Sequence, residues 1–116
     1  MSGSQILAVE HASKDEILWH VVLISFWSNV SEQERESIFQ QYQALADECG
    51  GIGAGILSFK IEKNLDLRKN MHLVEIAKFQ DMNALQAFRR HPAHKRLTDR
   101  LSQCATWYGG DCYGSP

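Results

Sequence analysis

The chain has 116 residues, of which 44% are hydrophobic and 22% charged, and its formal net charge is −2. These values are typical of one folded domain with its own hydrophobic core, and they exclude a disordered chain. The 12 basic and 14 acidic side chains leave no cationic excess to neutralise phosphates, which argues against nucleic acid as a main partner. The longest apolar run, residues 21–24, is far too short to span a membrane.

The chain is expected to consist of an N-terminal arm (residues 1–16), one domain (residues 17–113) and a short C-terminal tail (residues 114–116). The arm lacks the cationic start and the long apolar stretch of a secretory signal. The three cysteines are an odd number without a C-x-x-C pair, which predicts free thiols and a cytoplasmic protein.

The first elements in chain order are a strand and a helix. Residues 17–27 (ILWHVVLISFW) are rich in β-branched and aromatic residues and predict a strand. Both faces of this strand are apolar, so we expect both to be covered. The segment 31–34 has the S-x-x-E form of a capping box. Side chains at helical spacing follow it and predict a helix that ends at Gly50-Gly51, namely Ile38, Tyr42, Leu45 and Cys49.

The middle of the chain predicts two strands with a polar connection. A weaker strand is expected over residues 52–61, because Gly53 and Gly55 interrupt its apolar pattern. Residues 62–70 are polar and charged and predict a loop. Residues 71–79 (MHLVEIAKF) predict the third strand.

The last third of the chain predicts a helix with a bend, followed by a strand. Asp81 can cap the helix, and Pro92 should break or bend it, because proline lacks an amide hydrogen. A helical pattern resumes over residues 93–101. The final strand lies within residues 104–113, where Gly109-Gly110 is expected to interrupt it.

The predicted order β-α-β-β-α-β indicates an α+β fold of ferredoxin-like type, in which two helices cover one face of a four-stranded antiparallel sheet. The first strand is apolar on both faces, yet the chain offers no further helix to cover the second face. A second copy packed sheet to sheet is the simplest cover, so we expect a homodimer.

The segment 88–94, FRRHPAH, is the most distinctive in the chain. Together with the strand around His20, the strand 71–79 and Asp81 after it, this segment resembles the stress-responsive dimeric α/β-barrel (Dabb) family. The resemblance extends over about residues 20–111 and implies a dimeric α/β-barrel.

The resemblance also implies a function and a site. Some members are plant stress proteins, and one is a polyketide cyclase that closes its substrate by aldol condensation without a metal or an organic cofactor. By similarity to that cyclase, His94 would be the catalytic base, and Phe88 stands where the cyclase has a tyrosine. His20, His72 and Tyr42 would bind the substrate.

The residue types agree with proton-transfer chemistry. A histidine such as His94 exchanges a proton near neutral pH, although it could instead cap the bend at Pro92. Phe88, Ile38 and Leu97 would form the wall of an apolar pocket. His91 lies three residues before His94, but no third metal ligand is in reach, so we expect neither metal nor cofactor.

These observations predict a small cofactor-independent enzyme that acts on a carbonyl-rich apolar substrate, by cyclase-like or isomerase-like chemistry. One alternative is a dimeric stress-response or structural protein without catalysis, whose pocket would be filled by Phe88, Phe39 and Tyr42. A further alternative, by analogy of fold, is a cofactor-less monooxygenase. The basic cluster around residues 89–100 is expected to be a solvated helix face or a grip for an anionic substrate.

Overall fold

A computed structural model describes residues 16–116, so nearly all of the predicted N-terminal arm lies outside the described residues. Four strands and four α-helices follow one another in the order β1 (Ile17–Phe26), α1 (Glu32–Gln43), α2 (Leu45–Glu48), β2 (Ile56–Lys63), β3 (Leu73–Phe79), α3 (Met82–Arg90), α4 (Pro92–Leu101) and β4 (Ala105–Gly114). Two short 3₁₀ turns, Gly51–Ala54 and Leu67–Lys69, lie before and after β2. None of the described helices is long and apolar enough to cross a membrane.

The four strands form one antiparallel sheet in the order β2-β3-β1-β4. This arrangement confirms the predicted ferredoxin-like α+β fold. The long apolar strand β1 is central and pairs with β3 on one side and β4 on the other. Its register places His20 opposite Ala77 of β3 and opposite Asp111 of β4.

The two faces of the sheet differ in burial. The inward face of β1 is buried against the helices and contributes Leu18, His20, Val22, Ile24 and Phe26. The outward face is apolar as well, but it is partly open: Val21 is 37% exposed, Ile76 36% and Tyr108 63%. No described element of this chain covers these side chains.

The helix boundaries follow the capping signals. The Ser31 side chain accepts a hydrogen bond from the amide of Glu34 (3.1 Å), and Asp81 accepts one from Ala84 (2.9 Å). Both predicted caps are therefore confirmed. At the proline bend, α3 ends at Arg90 and a separate helix begins at Pro92.

Two predicted strand boundaries are wrong, and glycines explain both. Gly51–Ala54 forms a 3₁₀ turn rather than a strand, and β2 begins only at Ile56. Gly55, just before it, has a φ of +84°, outside the extended region. By contrast, β4 passes through Gly109-Gly110 without interruption. Both glycines keep extended backbone because β1 pairs with them throughout.

Candidate active site

A cavity of about 280 Å³ lies between the inward face of the sheet and the helices. Its apolar wall comes from the sheet and from two helices: Val22, Ile24, Leu45, Leu97 and Leu101. Its polar groups are His20, Tyr42, Glu75, Arg89, His94, Thr98 and Asp111. Because these groups come from β1, α1, β3, α3, α4 and β4, the site depends on the complete fold.

His20 and Asp111 form the tightest polar pair of the cavity. They lie directly opposite each other on β1 and β4, and His20 Nδ1 is 2.5 Å from Asp111 Oδ1. The second oxygen of Asp111 accepts a hydrogen bond from Arg89 Nη2 at 3.1 Å. Asp111 thus bridges the histidine and the arginine through charge-assisted hydrogen bonds. Because a carboxylate only accepts, His20 Nδ1 is the donor of the 2.5 Å contact.

Glu75 faces the cavity from β3 and is only 2% exposed. Its Oε1 accepts a hydrogen bond from the Tyr42 hydroxyl. Its Oε2 has no hydrogen-bond partner among the described residues, and the nearest ring atom, His20 Nε2, is 3.5 Å away. Burial raises the pKa of Glu75, although His20 and the bond from Tyr42 oppose this effect.

Tyr42 also favours its neutral form. Burial raises the pKa of Tyr42 well above its ordinary value, and the neighbouring Glu75 adds to this shift. The phenol therefore keeps its proton at neutral pH and donates it in the hydrogen bond to Glu75.

His94 lies on α4 with its ring edge against the Phe88 ring, at 4.7 Å between centroids. Burial lowers the pKa of His94 to about 4, and the charges of His20 and Arg89 contribute further. The imidazole is therefore neutral at pH 7 and holds a lone pair that can accept a proton.

The structure brings together some of the residues predicted for the site and separates others. His94, His20, Tyr42 and Leu97 line the same cavity. Phe88 is buried beneath it, between His94 and Phe79. Ile38 is fully buried in the core and does not line the cavity.

His72 does not line this cavity either. It precedes β3 and lies beside Phe26, whereas His20 pairs with Ala77 near the other end of β3. The Phe26 amide donates a hydrogen bond to His72 Nδ1 at 2.9 Å. Antiparallel pairing therefore separates the two histidines, as their positions in the sequence indicate.

A larger cavity of about 430 Å³ lies next to His72 and is lined mainly by apolar and charged side chains of α1 and the β2–β3 connection. Its charged side chains include Arg35, which donates to two backbone carbonyls, and Lys63, which pairs with Glu36. The one buried side-chain atom without a partner in residues 16–116, Glu75 Oε2, lies in the smaller cavity. We therefore take the smaller cavity as the candidate active site.

Sequence reasoning missed Glu75, Asp111 and Arg89 as site residues. A signal for Glu75 was present, because it is the only charged residue among Leu73, Ala77 and Phe79 on the buried side of β3. Asp111 required the register of β4, which the expected interruption at Gly109-Gly110 concealed. Arg89 was assigned to a basic cluster, whereas the structure pairs it with Asp111.

His91 has a structural role. Its Nδ1 accepts a hydrogen bond from the Ala93 amide at 3.0 Å and caps the first turn of α4. It therefore performs the capping role that was considered for His94. Within residues 16–116, no group of three His, Cys, Asp or Glu side chains is arranged to hold a metal ion.

The ferredoxin-like sheet and the histidine-lined cavity define a small α+β protein of the dimeric-barrel class. The family model of the stress responsive A/B barrel domain (Dabb) matches residues 18–106, which is most of the chain. The chain belongs to this family. No curated protein matches the sequence significantly.

Solved structures with the same fold come from plants and bacteria. A hydroxynitrile lyase from Passiflora edulis is 16% identical, with a TM-score of 0.71 over 87% of this chain and 95% of that one. A dimeric ferredoxin-like protein from Thermobifida fusca is 12% identical, with a TM-score of 0.70 over 90% of this chain and 95% of that one. SnoaB, a cofactor-independent oxygenase from Streptomyces nogalater, is 21% identical, with a TM-score of 0.63 over 84% of this chain and 90% of that one.

Proposed function

We propose that this protein is a small cofactor-independent enzyme that transfers protons to and from a carbonyl-containing, largely apolar substrate, in cyclase-like or isomerase-like chemistry. The observation that carries the proposal is the neutral His94 imidazole in a partly enclosed cavity lined by acid and hydroxyl groups. A general base must be unprotonated and must line the site that the substrate occupies, which supports His94 in this role.

The other cavity residues take supporting roles. His94 removes a proton from the carbon next to the substrate carbonyl. His20 and Tyr42 orient the substrate, and Leu97 packs against its apolar part. Asp111 fixes the orientation and the tautomer of His20 through the 2.5 Å contact.

The size of the cavity restricts the substrate. At about 280 Å³ it lies just below the roughly 300–1,000 Å³ range of ligand pockets. A molecule with one aromatic or alicyclic ring and a short side chain fits this volume better than a long polyketide chain.

Two relatives support catalysis in this fold. The Streptomyces protein is a cofactor-independent oxygenase, and the Passiflora protein is a hydroxynitrile lyase. The non-enzymatic alternative would have a cavity filled by Phe88, Phe39 and Tyr42. Here Phe88 lies beneath the cavity and Phe39 lines the other one, which favours the enzyme.

We also propose that the protein is a homodimer that packs through the open face of its sheet. The support is the partly exposed apolar side chains of that face and the dimeric relative from Thermobifida. The three free cysteines, two of them buried, support a location in the reducing cytoplasm.

The test is proton exchange on a simple ketone. Acetophenone in D₂O loses its methyl hydrogens slowly, and ¹H NMR follows their replacement by deuterium. We expect the wild-type protein to accelerate this exchange and His94→Gln to remove at least 99% of the acceleration, since general base catalysis contributes about 10²–10⁴-fold. The matched control is His72→Gln, which changes a histidine outside the cavity.

The proposal is wrong if the protein does not accelerate exchange, or if His94→Gln exchanges as fast as the wild type. Loss of activity in both histidine variants would indicate general damage to the fold. Circular dichroism and the ¹H–¹⁵N spectrum of each variant separate that case from a specific loss.

A further inference from the structure

We infer that Glu75 is a second catalytic residue, a general acid whose Oε2 proton passes to the substrate carbonyl oxygen while His94 removes the carbon-bound proton. The inference rests on the proposed function and adds to it the group that stabilises the developing negative charge on oxygen.

The two carboxyl oxygens of Glu75 differ in their contacts. Glu75 is 2% exposed, and its Oε1 already accepts a hydrogen bond from Tyr42. Within residues 16–116 its Oε2 has no hydrogen-bond partner, although it lies in a cavity large enough for a small ligand. A buried polar atom without a partner is costly, and such atoms in folded proteins usually have a function.

The hydroxyl donors of the cavity are already engaged. The Tyr42 hydroxyl donates to Glu75, and the Thr98 hydroxyl donates to backbone carbonyls of its own helix. Arg89 Nη2 donates to Asp111. A protonated Oε2 is the remaining O–H group of the cavity that can meet a substrate oxygen.

The His20 ring is directed at the same carboxyl oxygen. Its Nδ1 contacts Asp111, and its Nε2 lies 3.5 Å from Glu75 Oε2. This separation is too long for a strong hydrogen bond. Oε2 is therefore left to bond a carbonyl oxygen in the cavity, and His20 is close enough to help retain or return the proton.

Charged and titratable groups face Glu75 from every element around it: His20 on β1, Tyr42 on α1, Asp111 on β4, Arg89 on α3 and His94 on α4. Burial raises the pKa of Glu75, and Asp111 adds to the shift, whereas His20, Tyr42 and Arg89 oppose it. Burial is the largest of these effects, so it favours the protonated acid that the inference requires.

The step balances in atoms and charge. His94 takes a proton from the carbon next to the carbonyl, and the electron pair of that C–H bond forms the C=C bond of an enol. The carbonyl oxygen takes the proton of Glu75 Oε2, which leaves a Glu75 carboxylate and a His94 imidazolium. Reversal returns a proton to the carbon and one to Glu75. In D₂O the His94 imidazolium first exchanges its N–H hydrogen with the solvent, so the carbon then receives deuterium.

The substrate class follows from this geometry. The substrate needs a ketone or aldehyde oxygen that reaches Oε2, a hydrogen on the adjacent carbon near His94, and an apolar remainder. This remainder would pack against the leucines that line the cavity, Leu45, Leu97 and Leu101. An aryl alkyl ketone such as acetophenone has these three parts.

The experiment compares Glu75→Gln with the wild type in the acetophenone exchange assay. Glutamine keeps the shape and can still accept from Tyr42, but its amide cannot transfer a proton. We expect kcat to fall at least 100-fold with KM within about threefold of the wild type. We also expect the wild-type rate to decline as pH rises through ionisation of Glu75, and this decline to be absent in Glu75→Gln.

Failure of this inference differs from failure of the proposed function. If His94→Gln loses the exchange but Glu75→Gln keeps the wild-type rate and pH profile, the role of Glu75 is wrong and that of His94 stands. If the wild type does not accelerate exchange, both are wrong. The matched control Glu62→Gln changes an exposed carboxyl on β2 and should leave rate and profile unchanged.

A second measurement keeps the inference testable if Glu75→Gln does not fold. The side-chain carboxyl ¹³C resonance of Glu75 in the wild-type protein reports its protonation directly. We expect it to titrate at a clearly higher pH than the exposed glutamates. A resonance that titrates with them would overturn the inference, because the acid would then be ionised at neutral pH.

Discussion

Asp111 lies directly across the β1–β4 pair from His20, and its Oδ1 is 2.5 Å from Nδ1 of that histidine. The two residues are 91 positions apart in the chain, and only the closing strand of the sheet brings them together. We therefore expect Asp111→Asn to leave the fold intact but to lower the exchange rate about 10–100-fold, the loss typical when a partner that orients a histidine is changed.

The measurement for Asp111→Asn is the ketone exchange assay at pH 7, with Asp99→Asn as the control. Asp99 lies on the exposed side of α4, so its substitution makes the same chemical change away from the cavity. Equal rates for Asp111→Asn and Asp99→Asn would show that the contact with His20 has no catalytic role.

The low pKa of His94 predicts a dependence of stability on pH. In the unfolded chain this histidine binds its proton near pH 6.5, but in the folded protein only near pH 4. Between these values the unfolded state binds more protons, so the free energy of unfolding falls as pH is lowered through this window. The contribution is at most about 3 kcal/mol, and it is reduced because the ring is partly open to solvent.

Urea unfolding of the wild type and His94→Gln at several pH values from 7 to 4 tests this dependence. We expect the wild type to lose more stability than the variant over this range. Parallel curves for the two proteins would mean that His94 titrates normally in the folded state.

The raised pKa of Glu75 predicts that the free energy of unfolding depends on pH in the opposite direction. Its pKa is raised in the folded state, so above the ordinary value near 4.5 the folded protein binds more protons than the unfolded chain. Stability is therefore lost as pH rises from about 4.5 through the folded pKa. We expect Glu75→Gln to gain stability relative to the wild type between pH 5 and pH 8, as measured by thermal unfolding. A constant difference in Tm across that range would contradict the raised pKa.

The open face of the sheet predicts a second copy of the chain. Val21 lies at the centre of this face, flanked by Ile76 on β3 and Gly110 on β4. We expect Val21→Asp to convert a dimer into a monomer, because a dimer would bury the new charge without a partner. Light scattering after size-exclusion chromatography measures the mass. The control is Leu65→Asp, because Leu65 is a loop residue that is 97% exposed. A monomeric mass for the wild-type protein would refute the predicted dimer.

Replacing glycine by alanine is expected to lower the free energy of unfolding by different amounts at Gly53 and Gly55, the two glycines just before β2. Gly55 has a φ of +84°, and a Cβ there would lie 2.7 Å from the Cβ of Ala84. We expect Gly55→Ala to lower the free energy of unfolding by about 2 kcal/mol or more, from backbone strain and the clash together. At Gly53 a Cβ has open space, so Gly53→Ala should change the free energy of unfolding by less than about 0.5 kcal/mol. Urea unfolding that gives equal values for the two variants would contradict this account.

Much of the fold could be predicted from the sequence because its signals are local. The apolar strand β1, the caps at Ser31 and Asp81, and the break at Pro92 each depend on residues close together in the chain. The ends of β2 were predicted less well, because the turn before it is set by glycines with positive φ, which a pattern of hydrophobicity does not show.

The candidate site was predictable only where the family resemblance and the residue type pointed to the same side chain. His20, Tyr42 and His94 were selected for these two reasons, and they line one cavity. Asp111 and Glu75 could be placed beside them only with the strand register, which depends on contacts between distant parts of the chain. His72 was selected in the same way, but it lies at the far end of the sheet and lines the other cavity.

Gly109 lies on the cavity side of β4, opposite Val22, and contributes no side chain to the wall there. A Cβ at this position would meet only ordinary contacts, the nearest being the carbonyl oxygen of Val21 at 3.5 Å. Larger residues at position 109 would therefore shrink the cavity without disturbing the hydrogen bonds of the strand. This single position gives evolution or protein engineering a way to limit the size of any molecule that enters the cavity, while its histidine and carboxyl groups remain in place.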